Sequence, residues 1–139
     1  MEIIHKINDE IKIVSSSWCG KIKDSDILLS YKMLYENKKW RPGFNEIVDF
    51  SKADLRAVSN CGLEQLAAIV EDYTKEKSKN FKSVVIAPQD LSFGLARVYE
   101  AHAPLNERVI VFRETHSALE YLSLKESALK TRGKINRLN

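Results

Sequence analysis

Glycine and proline are scarce in this chain of 139 residues, which has five glycines and three prolines. This composition excludes collagen-like chains and Pro/Gly-rich disordered chains. No apolar run approaches the roughly 20 residues that cross a bilayer, and the amino terminus lacks the basic start and apolar run of a secretory signal peptide. We therefore expect one folded domain in the cytoplasm, without a transmembrane segment.

Cysteine is also scarce, and the charge is small and unevenly placed. In a reducing compartment the two cysteines, Cys19 and Cys61, are expected to be free thiols that pack in the interior. The formal net charge is +3, but residues 125–139 hold five basic residues and one acidic residue. The body is then nearly neutral, which argues against a nucleic-acid partner. We expect a domain over 1–123 and a basic tail over 124–139 that ends the last helix and is then flexible.

The motifs of several enzyme classes are missing, including Gly-x-Ser-x-Gly, Gly-x-Gly-x-x-Gly, the phosphate loop and Cys-x-x-Cys. The histidines His5, His102 and His116 lie on different elements without the spacing of metal ligands, so we expect no metal and no cofactor. Cys61 is a candidate nucleophile at a helix start, but an inert, buried thiol is the favoured interpretation. The sequence therefore predicts a binding protein and not an enzyme.

Apolar residues follow two periodicities along the chain. Compact or alternating apolar runs predict strands at 3–7, 11–18, 47–50, 84–87 and 109–112. Apolar positions spaced by three and four predict helices around 27–35, 63–73, 91–99 and 118–122. The order is ββαβαβαβα. Because each parallel connection needs a crossover helix, this order predicts an α/β fold with a mixed, mainly parallel sheet of four or five strands.

Several short segments carry a family resemblance: WRPG at 40–43, VDFS at 48–51, CGLEQL at 61–66, FGLARVYE at 93–100, VFR at 111–113 and ALEYL at 118–122. With the order of elements, they resemble the STAS domain of sulfate transporters and anti-sigma-factor antagonists, and in particular small stand-alone bacterial STAS-type proteins. The resemblance implies a regulatory module whose second helix starts at a partner-binding loop. In the antagonists a phosphorylatable serine directly precedes a Gly-Leu pair. Here Cys61 stands there, and the nearest serine, Ser59, is the candidate switch residue.

The same helix start is a candidate site on physical grounds. Unpaired backbone N–H groups at Ser59, Asn60, Cys61 and Gly62 favour a phosphate, a carboxylate or an acidic side chain of a partner. The alternative is that Ser59 or Asn60 only caps the helix. An added negative charge at Ser59 is expected to be tolerated, because it would lie at the positive end of the helix dipole.

A second candidate site lies at Gln89 and Asp90, where another helix begins beyond the carboxyl end of a strand. The alternative is that Asp90 caps this helix and Gly94 lets it pack close to the sheet. Arg97 and Arg113 are candidates for an anion site here or for surface salt bridges. Trp40 is either an exposed partner anchor or a cover for the sheet edge.

These observations leave three functions open. The first is a regulatory or ligand-binding module that contacts a protein or a small molecule not identified by the sequence, with a homodimer left open. The alternative is a carrier of a lipid or other apolar small molecule, which calls for a pocket of roughly 300 to 1,000 Å³. The third is an enzyme with Cys61 as its nucleophile.

Overall fold

A five-stranded sheet forms the centre of the molecule. The computed structural model describes residues 2–75 and 79–125, the last three through their backbone alone. The strands are β1 (Glu2–Asn8), β2 (Ile13–Lys21), β3 (Asn45–Asp54), β4 (Phe81–Ile86) and β5 (Glu107–Phe112). They lie side by side in chain order; β1 runs antiparallel to β2 and the other pairs are parallel. The mixed, mainly parallel sheet expected from the sequence is confirmed, with five strands.

Four helices connect or follow the parallel strands: α1 (Asp24–Tyr35), α2 (Asn60–Thr74), α3 (Asp90–His102) and α4 (Thr115–Lys125). The first three belong to the main core, whereas α4 packs on a second cluster with β4 and β5. Neighbouring residues of β4 therefore serve different clusters, with Val85 in the main core and Val84 in the second. The sheet is thus covered on both faces.

The opening hairpin turns where the sequence predicts it. The side chain of Asn8 accepts hydrogen bonds from the backbone N–H groups of Glu10 and Ile11, at 3.1 and 3.3 Å. This is an Asx turn, in which the side chain replaces a backbone acceptor. Lys12 has a φ of 62° in the turn, and the second strand consequently begins at Ile13 and not at Ile11.

Two segments differ from the sequence expectations. The loop expected from Ser51 is part of β3, which continues to Asp54 because residues 52–54 pair with the end of β2. Trp40 is buried, with its ring centroid 4.7 Å from that of Tyr35. The interpretation of Trp40 as an exposed anchor is therefore wrong. Of the predicted tail 124–139, residues 124 and 125 extend α4, and 126–139 lie outside the described residues.

Candidate functional site

The start of α2 is paired with a side chain from α1. The carboxylate of Asp24 accepts hydrogen bonds from the backbone N–H of Ser59 at 3.0 Å and from the Ser59 hydroxyl at 2.6 Å. The same hydroxyl accepts the backbone N–H of Gly62 at 3.0 Å. Because β2 and β3 are parallel neighbours, the helices that follow them begin at the same edge of the sheet. The expected anion site therefore holds an anionic group of the chain itself.

Gly62 allows this approach. A Cβ atom at residue 62 would lie 2.3 Å from the Asp24 carboxylate, well inside van der Waals contact. Gly62 is buried and has no left-handed backbone angle, so space and not φ requires glycine here. From the sequence we expect Gly62 to allow the close approach of a ligand's carboxylate. In the structure the carboxylate of Asp24 occupies that position.

The outer face of the same helix start is open. Ser59, Asn60 and Cys61 are all exposed. The expectation of buried cysteines was wrong for Cys61, because residue 61 faces away from the sheet while Gly62 and Leu63 face inward; Cys19 is half-buried. Both thiols are free. Ser59 is the N-cap of α2, as proposed in the alternative in which Ser59 or Asn60 only caps the helix. Its hydroxyl also links α2 to Asp24 of α1.

The start of α3 is arranged differently. Gln89 and Asp90 are exposed, and Gln89 is the N-cap residue, without a side-chain cap. Asp90 does not cap the helix, because its carboxylate pairs with the Arg113 guanidinium at 2.7 Å. Arg113 also lies over the ring of Phe93, 4.4 Å from its centroid. A Cβ atom at Gly94 would meet nothing within 4 Å, so the expected close packing of Gly94 is also wrong.

The remaining polar candidates have local partners. Arg97 pairs with Glu100 at 2.9 Å on the exposed face of α3, as the salt-bridge alternative proposed. His5 is half-buried, and its two ring nitrogens lie 2.7 Å from the hydroxyls of Ser16 and Ser30. His5 is therefore a satisfied histidine of the β1–α1 contact.

Sequence reasoning missed a polar cluster within the main core. Glu46 of β3 is buried, and its carboxylate accepts hydrogen bonds from the hydroxyls of Ser16 at 2.5 Å and Tyr31 at 2.7 Å. Glu107 of β5 is half-buried and accepts from Ser83 and Tyr99, at 2.6 Å each. Glu46 lies two residues before the buried Val48 and so shares its face. That spacing was the signal which could have identified Glu46.

Burial changes the acidity of this cluster. Loss of hydration raises the pKa of Glu46 to about 7, against the lowering effect of its Ser16 and Tyr31 hydrogen bonds. The pKa of Glu107 is also raised, mainly by desolvation. Burial lowers the pKa of His5 to about 4, so this ring is neutral at physiological pH. The described residues include no ion pair to either glutamate.

No protein-family model and no curated protein sequence matches this chain. A solved structure does match: an uncharacterised protein of the DUF3478 family from Shewanella loihica PV-4, described as having a SpoIIAA-like fold. The alignment has a TM-score of 0.55 and 16% identity, and covers 86% of this chain and 91% of that one. The chain has a SpoIIAA-like fold.

This result confirms the STAS-like fold expected from the sequence. The SpoIIAA-like fold positions the starts of α1, α2 and α3 at the carboxyl edge of the parallel strands, where open α/β sheets bind their ligands. Within the described part of the chain, no helix is both long and apolar enough to span a membrane.

Proposed function

We propose that this protein is a non-catalytic regulatory or ligand-binding module of STAS type, and that it contacts a partner protein through the exposed start of α2. The observation that carries the proposal is the arrangement of Ser59, Asn60 and Cys61. They are exposed together, and Asp24 holds the backbone beneath them through Ser59. A surface held in one conformation loses little conformational entropy when a partner binds.

Asp24 determines how Ser59 would act as a switch. The Ser59 hydroxyl hydrogen is committed to Asp24, so a phosphoryl group on Ser59 would place two anionic groups at the same point. Repulsion would separate α1 from α2 at this edge of the sheet and change the surface that the partner meets. Ser59 therefore remains the residue through which we expect regulation, with Asp24 as the group that senses the added charge.

A capture experiment with two arginine variants tests the contact surface. Asn60 and Thr115 are both exposed neutral residues at helix starts, but α2 and α4 lie on opposite faces of the sheet. Wild type, Asn60→Arg and Thr115→Arg are immobilised, exposed to extract from the source cells, and compared by quantitative mass spectrometry. We expect Asn60→Arg to lose at least one protein that the other two retain. Equal recovery by all three would contradict the proposed surface.

The alternative function is a carrier of a lipid or other apolar small molecule. Its candidate site is a largely apolar cavity between α1, α2, α3 and the sheet, lined by residues that include Phe50, Leu66 and Leu95. The cavity volume is about 50 Å³, below the roughly 300 Å³ of ordinary small-molecule sites. A carrier role would therefore require the helices to move away from the sheet. Native mass spectrometry of protein purified from its own cells tests the alternative by detecting a bound molecule.

A further inference from the structure

β1 is an edge strand with one side unpaired. The sheet order places β1 at one end, and within the described part of the chain it pairs with β2 alone. The strand is seven residues long, contains no proline and pairs with β2 without a bulge. Proline and bulges are devices that keep edge strands from pairing with other chains. The free side of β1 therefore offers its backbone N–H and C=O groups to another strand.

Apolar side chains are exposed beside this edge. Ile4 of β1 is 42% exposed, and Leu29 and Met33 of α1 are 63% and 64% exposed. Leu29 and Met33 line a groove of about 360 Å³ whose walls come from β1 and α1 alone. Apolar side chains that are grouped on the surface mark interaction sites, whereas single scattered ones do not. The edge thus combines unpaired backbone groups with apolar surface.

The charges of β1 are placed symmetrically about Ile4. Glu2 and Lys6 lie two residues before and two residues after Ile4, so the three side chains share one face of the sheet. Glu2 and Lys6 are exposed, and neither belongs to an ion pair among the described residues. They lie about 13 Å apart along the strand, too far to pair with each other. A strand with opposite charges at equal distances from its centre is complementary to an antiparallel copy of itself.

We propose that β1 pairs antiparallel with β1 of a second copy of this chain, about a two-fold axis at Ile4, and so forms a homodimer with a continuous sheet. Glu2 of each copy then lies opposite Lys6 of the other, and the two Ile4 side chains lie against each other. Moving the axis to Ile3 or His5 places Glu2 opposite an uncharged residue and loses both ion pairs. The inference goes beyond the proposed function, because the β1 edge and the start of α2 are different surfaces.

The position of α1 agrees with this pairing. A two-fold axis perpendicular to the sheet keeps the α1 helices of both copies on the same face. Nε2 of His5 lies 2.7 Å from the Ser30 hydroxyl, so the turn of α1 that contains Leu29 lies level with the centre of β1. Leu29 and Met33 of each copy then face the groove of the other copy. The dimer therefore covers the apolar side chains that one copy leaves exposed.

Exchange of the charges at residues 2 and 6 tests the pairing. Sedimentation equilibrium of the full chain is measured in low salt over about 1 to 500 μM, and we expect wild type to dimerise with a Kd on the order of 10 μM. Glu2→Lys and Lys6→Glu each place like charges opposite one another at two points of the dimer. Each variant alone should therefore dimerise at least about tenfold more weakly than wild type.

Two combinations of these substitutions should restore the dimer. The double variant, Glu2→Lys with Lys6→Glu, regains both ion pairs in reversed order, so its Kd should lie within about threefold of wild type. An equimolar mixture of the two single variants should form a heterodimer, because one chain then presents two basic residues and the other presents two acidic residues. Restoration in the mixture requires residue 2 of one chain to lie opposite residue 6 of the other.

Arg108→Glu is the matched control. Arg108 is exposed on β5, the other edge strand, and its substitution changes the net charge as much as Lys6→Glu does. The two charged residues of β5, Glu107 and Arg108, are adjacent and so lie on opposite faces, which gives β5 no self-complementary pattern. We expect Arg108→Glu to dimerise like wild type. Thermal melts establish that every variant is folded.

Three results would overturn the inference. Wild type that sediments as a monomer at every concentration would show that Lys6 only protects an unpaired edge. Equal losses in Arg108→Glu and Lys6→Glu would assign the effect to net charge. A dimer that neither the double variant nor the mixture restores would have its contact elsewhere. Each of these results would leave the proposed α2 surface untouched, because that surface is tested by capture of a different protein.

Discussion

The carboxylate of Asp24 lies against the backbone of Gly62, and it does so while accepting two hydrogen bonds from Ser59. This contact joins the starts of α1 and α2 across 35 residues of sequence. It makes the geometry of the proposed partner surface depend on one carboxylate and on the absence of a side chain at residue 62.

The first prediction concerns Gly62→Ala. The new Cβ would displace Asp24 and break its bonds to Ser59, so we expect the free energy of unfolding to fall by about 1 to 2 kcal/mol. In an Asp24→Ala background the clash is gone, and alanine should stabilise the helix by up to about 1 kcal/mol relative to glycine. Urea unfolding of the four proteins measures this cycle. An equal cost of Gly62→Ala in both backgrounds would rule out the contact.

The second prediction reverses an expectation from the sequence alone. The helix dipole alone would make a negative charge at Ser59 tolerable. Because Asp24 contacts Ser59, however, Ser59→Asp places two carboxylates together. We expect this repulsion to lower the free energy of unfolding by about 1 to 2 kcal/mol. In an Asp24→Asn background the dipole effect should remain, with a gain of about 0.3 to 1 kcal/mol. Thermal melts at low and high salt measure the effect of Ser59→Asp in both backgrounds. A cost that persists in the Asp24→Asn background would assign it to something other than repulsion.

The third prediction concerns the two thiols. Since Cys61 is exposed and Cys19 is half-buried, a thiol reagent should label one cysteine rapidly and one slowly in the native protein. Cys61→Ser should remove the rapid phase, and Cys19→Ser should leave it intact. Labelling followed by absorbance measures both phases. If no thiol reacts until denaturant is added, residue 61 is not on the surface.

The fourth prediction concerns the pH dependence of stability through Glu46. Its pKa is raised in the folded state to about 7, so the folded protein binds this proton more tightly than the unfolded chain. The stability that results is fully present below about pH 4.5. It is lost as the pH rises through about 7, and the free energy of unfolding then falls by roughly 3 kcal/mol. Glu46→Gln stays neutral, so its stability relative to wild type should rise between pH 4.5 and pH 8.

His5 acts in the opposite direction, which makes it the matched control. The pKa of His5 is lowered to about 4, so its contribution to stability is present above about pH 6.5 and is lost as the pH falls through about 4. His5→Gln should therefore gain relative to wild type at acidic pH. Urea unfolding of the three proteins at several pH values measures both slopes. A pH-independent difference between wild type and Glu46→Gln would show that Glu46 is not held in a buried state.

The sequence could predict the order of elements and the location of the α2 start, because periodicity and capping residues such as Ser59 are local signals. Asp24 could not be found in this way, since its contact depends on how two helices pack. Cysteine is usually buried, and glycine inside a helix often allows close packing, so both interior roles are expected from residue type alone. The rotations of α2 and α3 about their axes instead place Cys61 and Gly94 on the surface. Glu46 was overlooked because glutamate is rarely buried, although strand periodicity placed it beside Val48.

Site-specific photocrosslinking in the source cells can show whether the exposed start of α2 binds a partner protein. A benzophenone amino acid replaces Asn60 in one protein and Glu120, an exposed residue of α4 on the opposite face of the sheet, in another. Irradiation should give a discrete higher-mass adduct at position 60, with a protein identifiable by mass spectrometry, and none at position 120. An absence of adducts at position 60, or the same adducts at both positions, would show that the start of α2 is not a specific partner-binding surface.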